Sequence, residues 1–387
     1  MELLGGMTQA DFLREYWQKK PLLIRQAIPG MSPPVDASEL AGLACEEGVE
    51  SRLVIEDDPR GPWQLERGPF SEARFSQLPE SNWTLLVQGL DHWVPEVADL
   101  LARFRFIPNW RVDDIMASFA PEGGSVGPHF DQYDVFLLQA EGHREWRIGG
   151  HSDGDSPRLS GTPLSILAGF DEQQRWVLAP GDMLYLPPHL AHWGIACDDC
   201  ITLSIGFRAP AHSDILTGFT DYLSDSLSDD HRYADPHLSP TDSPGAITRD
   251  TLAQLESILS QHIHNPQALG LWFGQAMTEP KHAGIVPPAE EPINAEALSG
   301  LIDQGVGLRW NEGSRFAYLD LPDEPQARAL FVDGERFILR GDAMALAPVL
   351  ADQHRHSAGQ LAPFARDPAL LELMVRLCNQ GSLYPDE

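Results

Sequence analysis

Between about residues 51 and 209 the chain is cut into short apolar runs separated by turn signals, and no other feature limits its fold so strongly. The runs are Ser51–Ile55, Trp83–Val87, Asp114–Phe119, Asp134–Gln139, Arg144–Ile148, Gln174–Leu178, Asp182–Leu186 and Ile201–Ile205. Many short strands at such spacing predict a sandwich or barrel, and a closed double-sheet jelly roll, the double-stranded β-helix, fits best. A helix precedes them. Thr8 is placed to cap Asp11–Trp17, whose Phe12, Leu13, Tyr16 and Trp17 fit one apolar face, and Pro21 stops it before a first strand at Leu22–Arg25.

Inside this barrel the stretch Gly127-Pro-His-Phe-Asp131 sets His129 and Asp131 two residues apart. Side chains on an extended strand repeat every two residues, so an imidazole and a carboxylate at this spacing face the same side and can bind one metal ion. His-x-Asp alone is common. Its context is not: Gly123–Gly127 supplies a permissive backbone that allows close approach, and the turn-bounded strand Pro180–Pro188 leads to His192 as a third ligand. Two histidines and a carboxylate form the facial triad that leaves positions on Fe(II) open for a cosubstrate and O₂, and the chemistry implied is oxygenation. His189, three residues before His192, reads as a neighbour facing substrate or supporting the ligands rather than as a ligand itself.

A facial triad that uses 2-oxoglutarate needs a cation for the distal carboxylate. Arg144 offers one, on the strand after the Gln139–His143 turn and expected to pair as a hairpin with the strand carrying His129. Strand alternation puts Arg144, Trp146 and Ile148 on one inward face and Arg147 on the other. Ser118, or else Thr202, can add a hydroxyl from a neighbouring strand.

At 387 residues the chain exceeds one hydrophobic core, and 42% hydrophobic with 22% charged residues describes an ordinary globular protein of two or three domains. The formal net charge is −30, and lysine occurs only at Lys19, Lys20 and Lys281. Such a field repels nucleic acid and anionic membranes and attracts a basic protein or peptide; it also suits solubility or salt adaptation. Four cysteines are too few for a disulfide framework, Met1–Met7 lacks the pattern of a secretory signal, and no run approaches the roughly 18 apolar residues of a membrane span. A cytoplasmic protein is expected. Cys197-Asp-Asp-Cys200 has redox or zinc spacing but neither a second ligand pair nor a βαβ context, and reads as structural.

Beyond Pro210 the period changes. Residues 213–227 and 248–277 have helical periodicity around a stretch at 228–246 rich in Asp, Ser, Pro and His, which predicts a small helical module. A linker at 280–292 follows. Then come a helix at Asn294–Asp303, strands at Gly307–Trp310 and Phe316–Leu319, a hairpin turning at Asp333-Gly334 between Ala329–Val332 and Arg336–Leu339, and a last helix from Asp367-Pro368 to Gly381. Helices plus a hairpin suggest a winged-helix-like domain whose acidic composition argues against DNA binding. The expected division is a catalytic domain at 1–210, a helical module at 211–280 and a winged-helix-like domain at 281–387, mainly β with α.

The stretches Asp11–Arg25, Trp110–Phe119, Gly123–Phe136, Pro180–Pro188 and Ser204–Pro210 together resemble the bacterial ribosomal oxygenases of the JmjC (cupin-4) group. The resemblance covers most of residues 8–210 and, in domain order, the whole chain. It implies a 2-oxoglutarate- and Fe(II)-dependent dioxygenase that hydroxylates an arginine of a basic large-subunit ribosomal protein, with a helical module that makes a homodimer. It implies iron on His129, Asp131 and His192 and the cosubstrate's distal carboxylate on Arg144. Asp113, Asp114 or Asp134 would be available to orient a substrate guanidinium. The chain departs from the family at Pro187-Pro188-His189, where the family has Pro-Pro-Gly. Two other classes use a similar framework: a JmjC histone-type lysine demethylase, and a metal-binding cupin that is not an oxygenase.

Overall fold

The computed structural model describes residues 3–56, 63–282 and 284–386. The chain divides into two compact units, Met1–Ala209 and Pro210–Glu387.

The first unit runs α1 (Gln9–Glu15), β1 (Leu22–Ile24), α2 (Ala37–Leu43), β2 (Ser51–Glu56), β3 (Trp63–Arg67), α3 (Glu72–Phe75), β4 (Trp83–Val87), α4 (Pro95–Leu101), β5 (Val112–Ala120), β6 (Val135–Glu141), β7 (Arg144–His151), β8 (Gln174–Leu178), β9 (Met183–Leu186), β10 (Leu190–Ala196) and β11 (Cys200–Phe207). Eight strands form a sheet in the order β1-β9-β6-β11-β5-β4-β2-β3, and three form a second, β10-β7-β8. This is the expected jelly roll. The continuous apolar runs of β6 and β9 follow from burial on both faces. Val135, Leu137, Leu184 and Leu186 meet Trp146, Ile148 and Leu178 of the small sheet. Phe136, Leu138, Met183 and Tyr185 turn the other way, into a larger core with Phe12, Phe104 and Phe207.

Several expectations change. The first helix is capped by Thr8 as predicted, but it ends at Glu15, well before Pro21, and Gln18 then takes a left-handed φ of 58°. That kink has a partner: the Gln18 backbone N–H donates to the Tyr185 hydroxyl at 2.7 Å, which donates to Asp134 at 2.6 Å. Strands β6 and β7 follow one tight turn yet enter different sheets, so Arg144 is not hairpin-paired to the strand before it; β7 pairs with β10 and β8. Strands β3 and β10 were not expected from the sequence.

The second unit holds helices α5 (His212–Ser226), α6 (Arg249–Ile263) and α7 (Pro266–Thr278), then α8 (Ala295–Asp303), β12 (Gly307–Trp310), β13 (Phe316–Asp320), β14 (Ala327–Val332), β15 (Glu335–Arg340), α9 (Leu346–Ala351), β16 (Arg355–His356), α10 (Ala358–Ala365), α11 (Pro368–Asn379) and β17 (Leu383–Asp386). The β14–β15 hairpin turns at Asp333 and Gly334, with φ of 50° and 82°, as the Asp-Gly pair predicts. Its core gathers Leu298, Leu308, Phe316, Leu330, Leu346, Leu361 and Met374.

Asp333 does more than turn the chain. Its carboxylate accepts from Ser314 Oγ at 2.9 Å, Ser382 Oγ at 2.6 Å and the Arg315 N–H at 2.8 Å, tying the hairpin to the segment before β17. Burial nevertheless pushes its pKa up to about 6, against the pull of those donors. The fold therefore favours the protonated acid. Its contribution is complete below the ordinary carboxylate range and is lost as pH rises through about 6. Relative to Asp333→Asn, the wild-type second unit should lose on the order of 2 kcal/mol between pH 4.5 and 7.5, read from urea midpoints. Parallel pH profiles for the two proteins would remove this reading.

Candidate active site

His129 and Asp131 lie on the connection between β5 and β6, not on a strand, which corrects the strand-parity expectation. What holds them is a main-chain bridge. The His129 N–H donates to the His192 carbonyl at 3.0 Å and the His192 N–H donates to the His129 carbonyl at 2.8 Å. His192 sits on β10, where a register shift between Leu190 and His192 against β7 re-aims the strand. Two residues before His129, Gly127 adopts φ 80° and lets the connection pack closely on Ile166, 2.9 Å from where a Cβ would lie.

One donor atom from each of His129, Asp131 and His192 lies within 4.8 Å of the others, and no second such group of His, Cys, Asp or Glu occurs among the described residues. The two imidazole centroids are 4.3 Å apart, and His192 Nε2 is 3.6 Å from Asp131 Oδ2. Each Nδ1 meets a main-chain carbonyl at 2.9 Å, Gly127 for His129 and Leu190 for His192. A carbonyl accepts only, so both rings carry a proton on Nδ1, which leaves Nε2 as the nitrogen available to a metal. Burial, and next the neighbouring His129, push the His192 pKa down to about 4, which keeps this imidazole neutral at physiological pH. Two imidazoles and a carboxylate fit a divalent metal with oxygen or nitrogen preference.

Arg144 is 4% exposed and makes no ion pair among the described residues. Its Nη1 donates to Ser118 Oγ at 3.0 Å and more weakly to Thr202 Oγ1 at 3.4 Å, while Nε has no partner. Ser118 thus steadies the guanidinium, and Thr202 is drawn aside by donating to Gln139 at 3.0 Å. Burial pushes the Arg144 pKa down. A buried cation with unspent donors and no counterion is costly, and a carboxylate is its natural complement. Sequence reasoning put Trp146 on this face and near the pocket, and the ring stands there. Its Nε1–H is also buried without a partner, and its ring lies 5.9 Å from that of His192 and 5.6 Å from the Arg144 guanidinium. The signal was the shared parity with Arg144.

Two of the three carboxylates suggested for substrate are placed otherwise. Asp134 is fully buried between Tyr185, Gln18 and Arg111. Asp114 is 2% exposed and takes both its oxygens to Gln88 Nε2 at 2.9 and 3.0 Å. Both are internal fasteners. Asp113 is half-buried beside Arg208 at 3.4 Å. Cys197 and Cys200 are free thiols, the first exposed and the second buried.

Residues 99–215 match the JmjC domain and residues 261–384 match the ROXA-like winged helix. Over 98% of both chains this sequence is 34% identical to the ribosomal protein uL16 3-hydroxylase of Escherichia coli. The chain belongs to the JmjC ribosomal oxygenases. Another member, the probable ribosomal oxygenase of Haemophilus influenzae, is 37% identical over 84% of this chain and 82% of its own. Among solved ribosomal oxygenases, the E. coli protein YcfD in complex with cobalt and 2-oxoglutarate superimposes with a TM-score of 0.86 at 32% identity over 99% of each chain. No described helix is long and apolar enough to cross a membrane.

Proposed function

We propose that the chain is a 2-oxoglutarate- and Fe(II)-dependent oxygenase that hydroxylates an arginine of a large-subunit ribosomal protein. The observation that carries this reading is Arg144, buried with unspent donors and no counterion beside the His129, Asp131 and His192 cluster, in a chain related end to end to a uL16 hydroxylase. His129, Asp131 and His192 would hold the metal. Bound there with 2-oxoglutarate and O₂, iron supplies the oxidising power that turns a C–H bond into C–OH as the cosubstrate loses CO₂ to become succinate. Arg144, steadied by Ser118, would receive the distal carboxylate and so fix which end of the cosubstrate faces the ligands. Trp146, whose ring lies 5.9 Å from that of His192, and Ile148, the cross-strand partner of His192, give that site an apolar side that would limit water. The charge of −30 draws a basic ribosomal protein and disfavours nucleic acid.

The test is mass spectrometry of large-subunit proteins from cells with and without the gene. The expected result is one arginine peptide heavier by an oxygen only when the gene is present. Turnover on methyl-lysine peptides without hydroxylation of ribosomal peptides would instead favour a demethylase. 2-Oxoglutarate turnover with neither would remove the substrate assignment, and no turnover at all would leave a cupin that is not an oxygenase.

The working form would be a homodimer built through the helical module at 211–280. Helix α6 buries none of its residues, yet Leu252, Leu255, Leu259 and Ile263 repeat along one face at 38–59% exposure. A stripe of that kind wants a partner. Leu255→Asp with Leu259→Asp should halve the mass measured by light scattering and leave the helical circular dichroism in place. A wild-type mass equal to one chain would end the dimer proposal.

A further inference from the structure

His189 follows Pro187-Pro188 and holds a left-handed backbone, φ 64°, where glycine is the usual occupant. Its main chain joins two neighbours. The His189 N–H donates to the Asp131 carbonyl at 2.7 Å, and its carbonyl accepts from the Ser152 N–H at 2.8 Å. Its side chain does the same by packing. The ring lies between Phe130 at 5.9 Å, tilted 30°, and His151 at 5.4 Å, tilted 25°. Its Nδ1 is buried without a hydrogen-bond partner, so packing rather than polar bonding fixes the ring. Phe130 stands between His129 and Asp131, and its ring also carries the Arg158 guanidinium at 5.7 Å. Arg158 belongs to the excursion between β7 and β8, which returns to the same place, where the Leu167 N–H donates to the Pro128 carbonyl at 2.8 Å. Arg158, Phe130, His189 and His151 therefore form a row of successive contacts that includes the residue between the two ligands.

We propose that His189 is a positioning residue for the metal centre: its ring, wedged against Phe130, fixes the segment that bears His129 and Asp131 before any metal arrives. The inference rests on the metal-binding reading given above. Outer contacts that fix ligand orientation typically change metal affinity by about 10- to 100-fold when removed. Asparagine tolerates the left-handed backbone, so His189→Asn removes the ring without adding strain.

In the full chain, His189→Asn and Phe130→Leu should each weaken Mn(II) binding, measured by electron paramagnetic resonance, by about tenfold. Because both would break one stack, the double variant should be no weaker than the worse single variant. Amide exchange across residues 129–131 of the metal-free protein should quicken in His189→Asn while the melting temperature stays near that of the wild type. Wild-type Mn(II) affinity in His189→Asn, or single effects that multiply in the double variant, would overturn the proposal. Failure of the wild-type protein to bind Mn(II) would sink the metal reading instead, and the exchange measurement would still decide the role of His189: unchanged exchange refutes it.

Discussion

His192→Ala is expected to lower succinate formation by about a thousandfold or more and to abolish tight Mn(II) binding, since a facial triad has no spare ligand. The reason is specific to how His192 is held. Its ring is buried, neutral and aimed by the Leu190 carbonyl, so the substitution removes a preset Nε2 donor, and no second group of His, Cys, Asp or Glu among the described residues is assembled to replace it. The main-chain bridge to His129 does not involve the imidazole and survives the substitution. Stability should therefore change by only about 1–2 kcal/mol, from the packing lost against Trp146 and His129. Activity and metal binding measured beside a melting curve separate the two effects. Retained Mn(II) affinity in a folded variant would refute the ligand assignment.

Arg144→Met should weaken 2-oxoglutarate binding by about 100- to 1,000-fold, the equivalent of roughly 3–4 kcal/mol for removing one partner of a buried charge pair. Arg144→Lys should fall between, because a lysine keeps the charge but loses the fork that meets both carboxylate oxygens. A second consequence runs the other way. Without cosubstrate the guanidinium is a buried cation with no counterion, so the methionine variant should be at least as stable as the wild type in the absence of 2-oxoglutarate. Isothermal titration of the manganese-loaded protein and a melting curve of the free protein check both halves. Unchanged cosubstrate affinity in Arg144→Met would place the distal carboxylate elsewhere.

The jelly roll was legible because strands such as β4 and β8 begin and end where apolar runs meet turn residues. In the second unit the Asp333-Gly334 turn was equally plain. Strand β10 was not, although it carries His192: Leu190-Ala-His-Trp-Gly-Ile-Ala196 has a glycine in the middle, starts from a Pro-Pro corner and lacks clean alternation. The separation of β6 from β7 was invisible for another reason. A tight turn specifies a reversal of the chain, but which sheet each strand joins depends on partners dozens of residues away. Asp134 misled in the same manner, since Gln18, Arg111 and Tyr185 converge on it from distant segments. Within the candidate site, His129, Asp131 and His192 come together although the first two are not on a strand: two-residue spacing was the right cue and β-structure the wrong carrier. The Nδ1 carbonyl partners and the orphaned Trp146 N–H had no local signature.

The reciprocal peptide hydrogen bonds between His129 and His192 set the separation of two donor positions independently of what those positions carry. Ligand identity and ligand placement are thereby uncoupled. Exchanging one imidazole for a thiolate or carboxylate would alter which ion the centre selects while the frame stays fixed, which makes this barrel a ready chassis for installing unrelated metals.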